Sequence, residues 1–197
     1  MRIVGGEFRG RVLAAPTDDA IRPTTDRARE ALFNVLAHAH ADALDATRCL
    51  DLFAGTGALG LEALSRGCRF CLFVDEGSQS RALLRRNIEA FGLTGRTKVW
   101  RRDATRMGPV QQAPFAVAFA DPPYGKGLGE RSAAAVLDGG WLKRGALFVL
   151  EERADALPQT LRGFETLDIR RTGDSGFAIF RVSDTTPHDQ TSPVTQA

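Results

Sequence analysis

At 197 residues the chain is long enough to bury a substantial core in one compact domain, with room for a small appendage. Its 43% hydrophobic and 25% charged content is ordinary for a soluble globular protein, and no apolar run reaches the length of a membrane span. The net charge of +2 and pI near 8.6 argue only weakly for a nucleic-acid partner.

The opening Met1-Arg2-Ile3-Val4-Gly5-Gly6 lacks the apolar core of a signal peptide, so a cytoplasmic location is expected. Residues 2–14 read as a short, glycine-rich β element. Arg2, Arg9 and Arg11 crowd it with only Glu7 to offset them, and arginine forks grip phosphate bidentately. A basic arm that docks RNA and a merely solvated arginine surface both fit this pattern. Pro23-Thr24-Thr25 then opens a helix, a threonine capping its first turn, with Ala28, Ala31, Leu32, Val35 and Leu36 at helical spacing.

From there short apolar runs alternate with helical stretches. Strands are expected at 48–53, 70–74, 97–101, 115–120 and 146–150, helices at 59–66, 79–91 and 129–137. Several strands are continuously apolar, as suits a parallel sheet covered on both faces. The second helix carries Leu84, Ile88 and Phe91 on one face and Arg81, Arg85 and Arg86 elsewhere. Such alternation implies right-handed crossovers and a doubly wound α/β domain. Two last runs, 166–171 and 177–182, lie too close for a helical crossover and read as an antiparallel hairpin. Residues 183–197 are polar and read as disordered. The division expected is 1–40 for an N-terminal β element and helix, 41–182 for the core, and 183–197 for the tail.

Cys49, Cys68 and Cys71 are an odd count, which suggests a reducing compartment. Cys68 and Cys71 imitate half a zinc site, but no second pair exists and Cys71 sits in an apolar run, so they read as core residues and no metal is expected.

Two segments carry chemistry. Asp51-Leu52-Phe53-Ala54-Gly55-Thr56-Gly57-Ala58-Leu59-Gly60 follows the first core strand and opens its helix, where glycines permit a sharp turn and close ligand approach. Asp75 ends the next strand, where an acid can bind ribose hydroxyls. Taken alone, this much equally describes a nicotinamide dinucleotide site. Asp51 before the glycines and Asp103 after the third strand add acids at further strand ends, the edge at which open α/β sheets bind ligands. Resemblance to class I methyltransferases implies an acid near the methionine moiety at the first and an adenine contact at the second.

Asp121-Pro122-Pro123-Tyr124 directly follows the apolar run 115–120. Two prolines stiffen the loop, and the residue before a proline is held extended, so the Asp121 carboxylate and the Pro122 carbonyl are fixed at the sheet edge. Both are acceptors, which suits an exocyclic NH2 with its two donors. Accepting from both protons favours a more tetrahedral nitrogen whose lone pair can face an activated methyl. Tyr124 would stack on the target base.

Together with Arg2-Ile3-Val4-Gly5-Gly6, Gly10-Arg11, Arg22-Pro23-Thr24-Thr25-Asp26-Arg27, Glu30-Ala31-Leu32-Phe33-Asn34 and Leu61-Glu62-Ala63-Leu64-Ser65-Arg66-Gly67, these segments resemble the RsmD family, guanine-N2 methyltransferases of 16S rRNA, over residues 2–182. The resemblance implies a class I S-adenosylmethionine-dependent methyltransferase fold: a Rossmann-like α/β domain with a mostly parallel seven-stranded sheet, a C-terminal antiparallel hairpin, and a small N-terminal β element plus helix. It implies a cofactor site of Asp51, Phe53, Gly55, Thr56, Gly57, Asp75, Asp103, Ala104 and Asp121, with Asp121, Pro122, Pro123 and Tyr124 catalytic. Arg2, Arg9, Arg11 and Arg22 would face 16S rRNA, within a partly assembled small ribosomal subunit. Asp75 stands where the family pattern leads one to expect glutamate, which shortens the ribose contact.

Other readings remain at this level. DNA adenine-N6 and protein-glutamine methyltransferases use a similar proline-rich corner. A nicotinamide oxidoreductase leaves that corner without a task, and a non-catalytic RNA-binding assembly factor leaves the four acids unexplained.

Overall fold

The computed structural model describes residues 1–15 and 26–183. Arg22, the threonine cap and the polar tail beyond Ser183 lie outside the described residues. Helix α1 (Asp26–Ala39) precedes an alternation of β1 (Arg48–Leu52), α2 (Ala58–Ser65), β2 (Phe70–Val74), α3 (Ser78–Ala90), β3 (Thr97–Trp100), β4 (Phe115–Ala120), α4 (Leu128–Asp138) and β5 (Leu142–Arg153). The hairpin β6 (Phe164–Thr172) and β7 (Ser175–Val182) follows. The seven strands lie in the order β3-β2-β1-β4-β5-β7-β6. The first five are parallel, and β7 and β6 are antiparallel, as the sequence leads one to expect.

The apolar runs are buried on both faces because helices cover both. All six residues of β4 are buried. On one face α1 (Leu32, Phe33, Leu36), α2 (Leu61, Leu64) and α3 (Leu84, Ile88) pack on Cys49, Phe73, Val117, Phe119 and Val149. On the other, Ala133 and Val136 of α4 pack with Leu50, Leu72, Ala118 and Phe148. The three cysteines are fully buried in the first layer.

Strand bounds differ from the sequence reading by one or two residues at β3, β6 and β7, and at β1 and β5 the difference has a visible cause. β1 stops at Leu52 because Phe53 takes a left-handed φ of 57°, rare for a bulky residue and tolerated only where its surroundings hold it. β5 starts four residues earlier than expected. Exposed Lys143, Arg144 and Gly145 form a bulge, across which the pairing jumps from Phe115–Leu142 to Val117–Leu147.

The expected N-terminal β element reduces to one antiparallel bridge, Arg2 to Val12. What holds the segment is packing: Ile3, Phe8 and Leu13 are buried in the first layer. Its backbone is tied to α2, with Val4 N–H donating to Glu62 Oε2 at 2.9 Å and Phe8 N–H to Ser65 Oγ at 2.9 Å. Fully buried Glu62 also accepts from Arg66 Nε at 2.7 Å and lies 3.6 Å from Arg29 Nε of α1. A buried ionic cluster thus joins the N-terminal segment to two helices.

Candidate active site at the carboxyl edge

The sheet order reverses at β1, which has β2 on one side and β4 on the other. The chain leaves β1 for α2 in one layer and β4 for α4 in the other, and this divergence opens a crevice at the strands' carboxyl ends. A cavity of about 630 Å³ occupies it. Asp51, Phe53, Gly55, Thr56, Asp75, Asp103, Ala104 and all four residues of Asp121-Pro122-Pro123-Tyr124 line it. Segments 70 residues apart in sequence therefore share one wall, as expected.

Gly57 lies beside the cavity-lining Thr56 and Ala58, and packing alone requires a glycine there. With φ at 82° it precedes α2, and a Cβ there would lie 2.4 Å from Leu84 Cδ1 of α3. Gly60 works the same way: a Cβ would meet Phe73 at 2.4 Å and Asp51 Oδ2 at 2.9 Å. Close seating of α2 lets the Gly60 N–H reach Asp51 Oδ2 at 2.9 Å.

The three acids beside the loop are held differently. Asp51 is 2% exposed. Burial pushes its carboxyl up to about 8, Asp75 adds to the shift, and the Gly60 N–H opposes it. Asp75 Oδ2 accepts from Gly55 N–H at 2.8 Å and Oδ1 from Gly77 N–H at 2.7 Å, linking the glycine loop to the turn after β2. Asp103 Oδ1 accepts from the Thr105 hydroxyl at 2.7 Å and the Thr105 N–H at 2.8 Å, bonds that hold its carboxyl below the usual range.

The proline corner is secured from β5. Tyr124 Oη donates to Glu151 Oε1 at 3.1 Å, and Gly125 N–H donates to both Glu152 oxygens at 3.2 and 3.3 Å. Glu151 and Glu152 are 8% and 4% exposed. Burial first, then the charges of Glu151 and Asp121, raise the Tyr124 phenol well above its ordinary pKa. Sequence reasoning passed over both glutamates; two consecutive acids directly after an apolar strand were the available signal. It also missed Arg102, Arg106 and Arg131, which line the cavity near Asp103.

The N-terminal segment begins at this site, since Met1 lines the cavity and its Sδ lies 3.8 Å from Thr56 Oγ1. Arg2, Arg9 and Arg11 are exposed but line no part of it. Arg2 Nε lies 3.4 Å from Asp26 Oδ2. The Arg11 guanidinium sits 4.3 Å over the Phe91 ring and donates to the Ala90 carbonyl. Its charge is partly engaged within the protein.

The model of the family described as "Conserved hypothetical protein 95" matches residues 1–181. Ribosomal RNA small subunit methyltransferase D of Escherichia coli is 39% identical over 155 residues, covering 79% of this chain and 76% of that protein. The protein of the same name from Haemophilus influenzae is 30% identical over 185 residues, covering 92% and 93%. Among solved structures, yhhF from Escherichia coli superimposes with a TM-score of 0.79 at 33% identity, covering 94% of this chain and 99% of that one. With that likeness running through the cavity and the N-terminal segment alike, the chain belongs to the RsmD family of methyltransferases.

Proposed function

We propose that the protein transfers a methyl group from S-adenosylmethionine to the exocyclic N2 of a guanine in small-subunit ribosomal RNA during ribosome assembly. The observation that carries this reading is that Asp121-Pro122-Pro123-Tyr124 opens into the same cavity as Asp51, Asp75 and Asp103.

The donor set fits the cofactor. A volume of about 630 Å³ lies in the range of small-molecule sites. Asp75 has one N–H on each oxygen and keeps acceptor capacity for a ribose diol. Asp103, ionised at neutral pH, accepts from an adenine amine. Asp51 lines the cavity as the acid for the methionine ammonium, whose positive charge would favour the ionised carboxylate over the protonated form that burial favours. S-adenosylmethionine, when bound, supplies a methyl group already activated by its sulfonium.

The chain's own work is positioning. Asp121 and the Pro122 carbonyl accept the two amine protons, which turns the nitrogen lone pair out of conjugation with the ring. As the N–C bond forms, one of those protons leaves, and Asp121 is the acceptor beside it. Tyr124 holds the unpaired base by its face. Phosphate contacts come from Arg2 and Arg9, with Arg11 and Arg22 as further members of the arm.

The relatives named small subunit methyltransferase D support the RNA substrate, and the N-terminal markers support guanine over adenine. Calorimetry tests the first half: a protein that binds neither S-adenosylmethionine nor its demethylated product is no methyltransferase of this kind. Nucleoside analysis of rRNA from cells lacking the protein tests the second.

A further inference from the structure

The chemistry proposed above uses Asp121, the Pro122 carbonyl and the face of Tyr124, and leaves a buried acid at the same edge without a task. On β5, Leu147 and Val149 pack in the layer that holds Val117 and Phe119 of β4. Glu151 is next in that alternation, and the pairing of Ala120 with Leu150 brings it level with Asp121. Its Oε1 accepts the only phenol in the chain, that of Tyr124, at 3.1 Å.

We infer that Glu151 is a positioning residue for methyl transfer: by accepting the Tyr124 hydroxyl it fixes the plane of the ring on which the target base stacks. The inference rests on the base-methylation reading. Stiff prolines fix where the Tyr124 backbone lies, but its two side-chain torsions remain free to turn. Tying Oη, the atom farthest from the backbone, removes that freedom before RNA arrives, so the ordering cost is not met during binding. Supplying the tie from β5 makes the stacking platform part of the sheet rather than of the loop.

Because Tyr124 is the sole tyrosine, phenolate absorbance reports on it alone. In an alkaline titration, Glu151→Gln, which keeps the acceptor and removes the charge, brings phenol ionisation to lower pH than in the wild type; an unchanged titration overturns the contact. In steady-state kinetics with RNA, Tyr124→Phe and Glu151→Ala each lower kcat/KM by about tenfold, Glu151→Gln restores most of the loss, and cofactor affinity holds. The double variant Tyr124→Phe/Glu151→Ala is no slower than Tyr124→Phe alone, since Glu151 acts through the hydroxyl. Losses that multiply, in a protein whose wild type does methylate RNA, overturn the role of Glu151 only. A wild type that transfers nothing to RNA overturns the parent reading.

Discussion

On the loop side of the cavity, backbone N–H groups of Gly55, Gly60 and Gly77 lie on the carboxylates of Asp75 and Asp51. On the opposite side, the tyrosine hydroxyl and one loop N–H lie on Glu151 and Glu152, which come from a strand 27 residues further along the chain. The first side is organised by main-chain donors that no side-chain substitution removes directly. The second adds a side-chain donor, the Tyr124 hydroxyl, to the Gly125 N–H. Both sides thus rest on carboxylates, but the loop side is tied by backbone N–H groups alone and the corner also by a tyrosine hydroxyl.

The sharpest way to separate the two sides is to injure each alone. On the proposed mechanism Asp121→Ala slows single-turnover methyl transfer by roughly 100-fold or more while cofactor affinity holds within a few-fold, because the side chain serves the reacting amine. Full activity in this variant would misplace the chemistry. Gly60→Ala should do the reverse. Its Cβ meets Phe73 and Asp51, so a loss of about 1–3 kcal/mol is expected in a urea titration, together with weakened cofactor binding. Wild-type stability would show that α2 can move away freely.

Asp51 gives the loop side a pH signature. Its folded pKa of about 8 lies above the ordinary 3.8, so between these values the folded protein holds a proton that the unfolded chain has released. Stability therefore falls as pH rises through that window, by an amount of order 3 kcal/mol between about pH 5 and pH 8. Asp51→Asn should flatten this slope in chemical denaturation at a series of pH values; an unchanged slope assigns it elsewhere. The smallest effect is expected from the arm. Arg2→Ala/Arg9→Ala should reduce the salt dependence of RNA affinity by up to about two counterions while cofactor affinity holds. Arg11 is left intact because its packing on Phe91 would confound the reading.

The difference between the two sides also explains what was legible in the sequence. Asp51, Asp75 and Asp103 end consecutive strands, so a local pattern of apolar runs and glycines located them. The same pattern located the seven strands and the hairpin. Glu151 and Glu152 were visible as two acids after the apolar run 146–150, but their place beside the proline corner was not, because it depends on β5 lying beside β4, a fact of topology rather than spacing. Gly57 carries a second requirement that its motif position does not reveal: α3, 27 residues later, supplies the Leu84 that leaves no room for a side chain there. Likewise Arg29 sits at a polar position of α1, and only the fold brings it to Glu62.

The proposed reaction places one methyl group on N2 of a guanine of small-subunit rRNA, with Asp121-Pro122-Pro123-Tyr124 as its reactive corner. Mass spectrometry of nucleosides from that rRNA, taken from cells lacking the protein and from cells complemented with wild type or Asp121→Ala, tests it most directly. N2-methylguanosine is expected to fall by one residue per rRNA, to return with the wild type, and to remain at the lower level with Asp121→Ala. An unchanged N2-methylguanosine content, or restoration by Asp121→Ala, would contradict it.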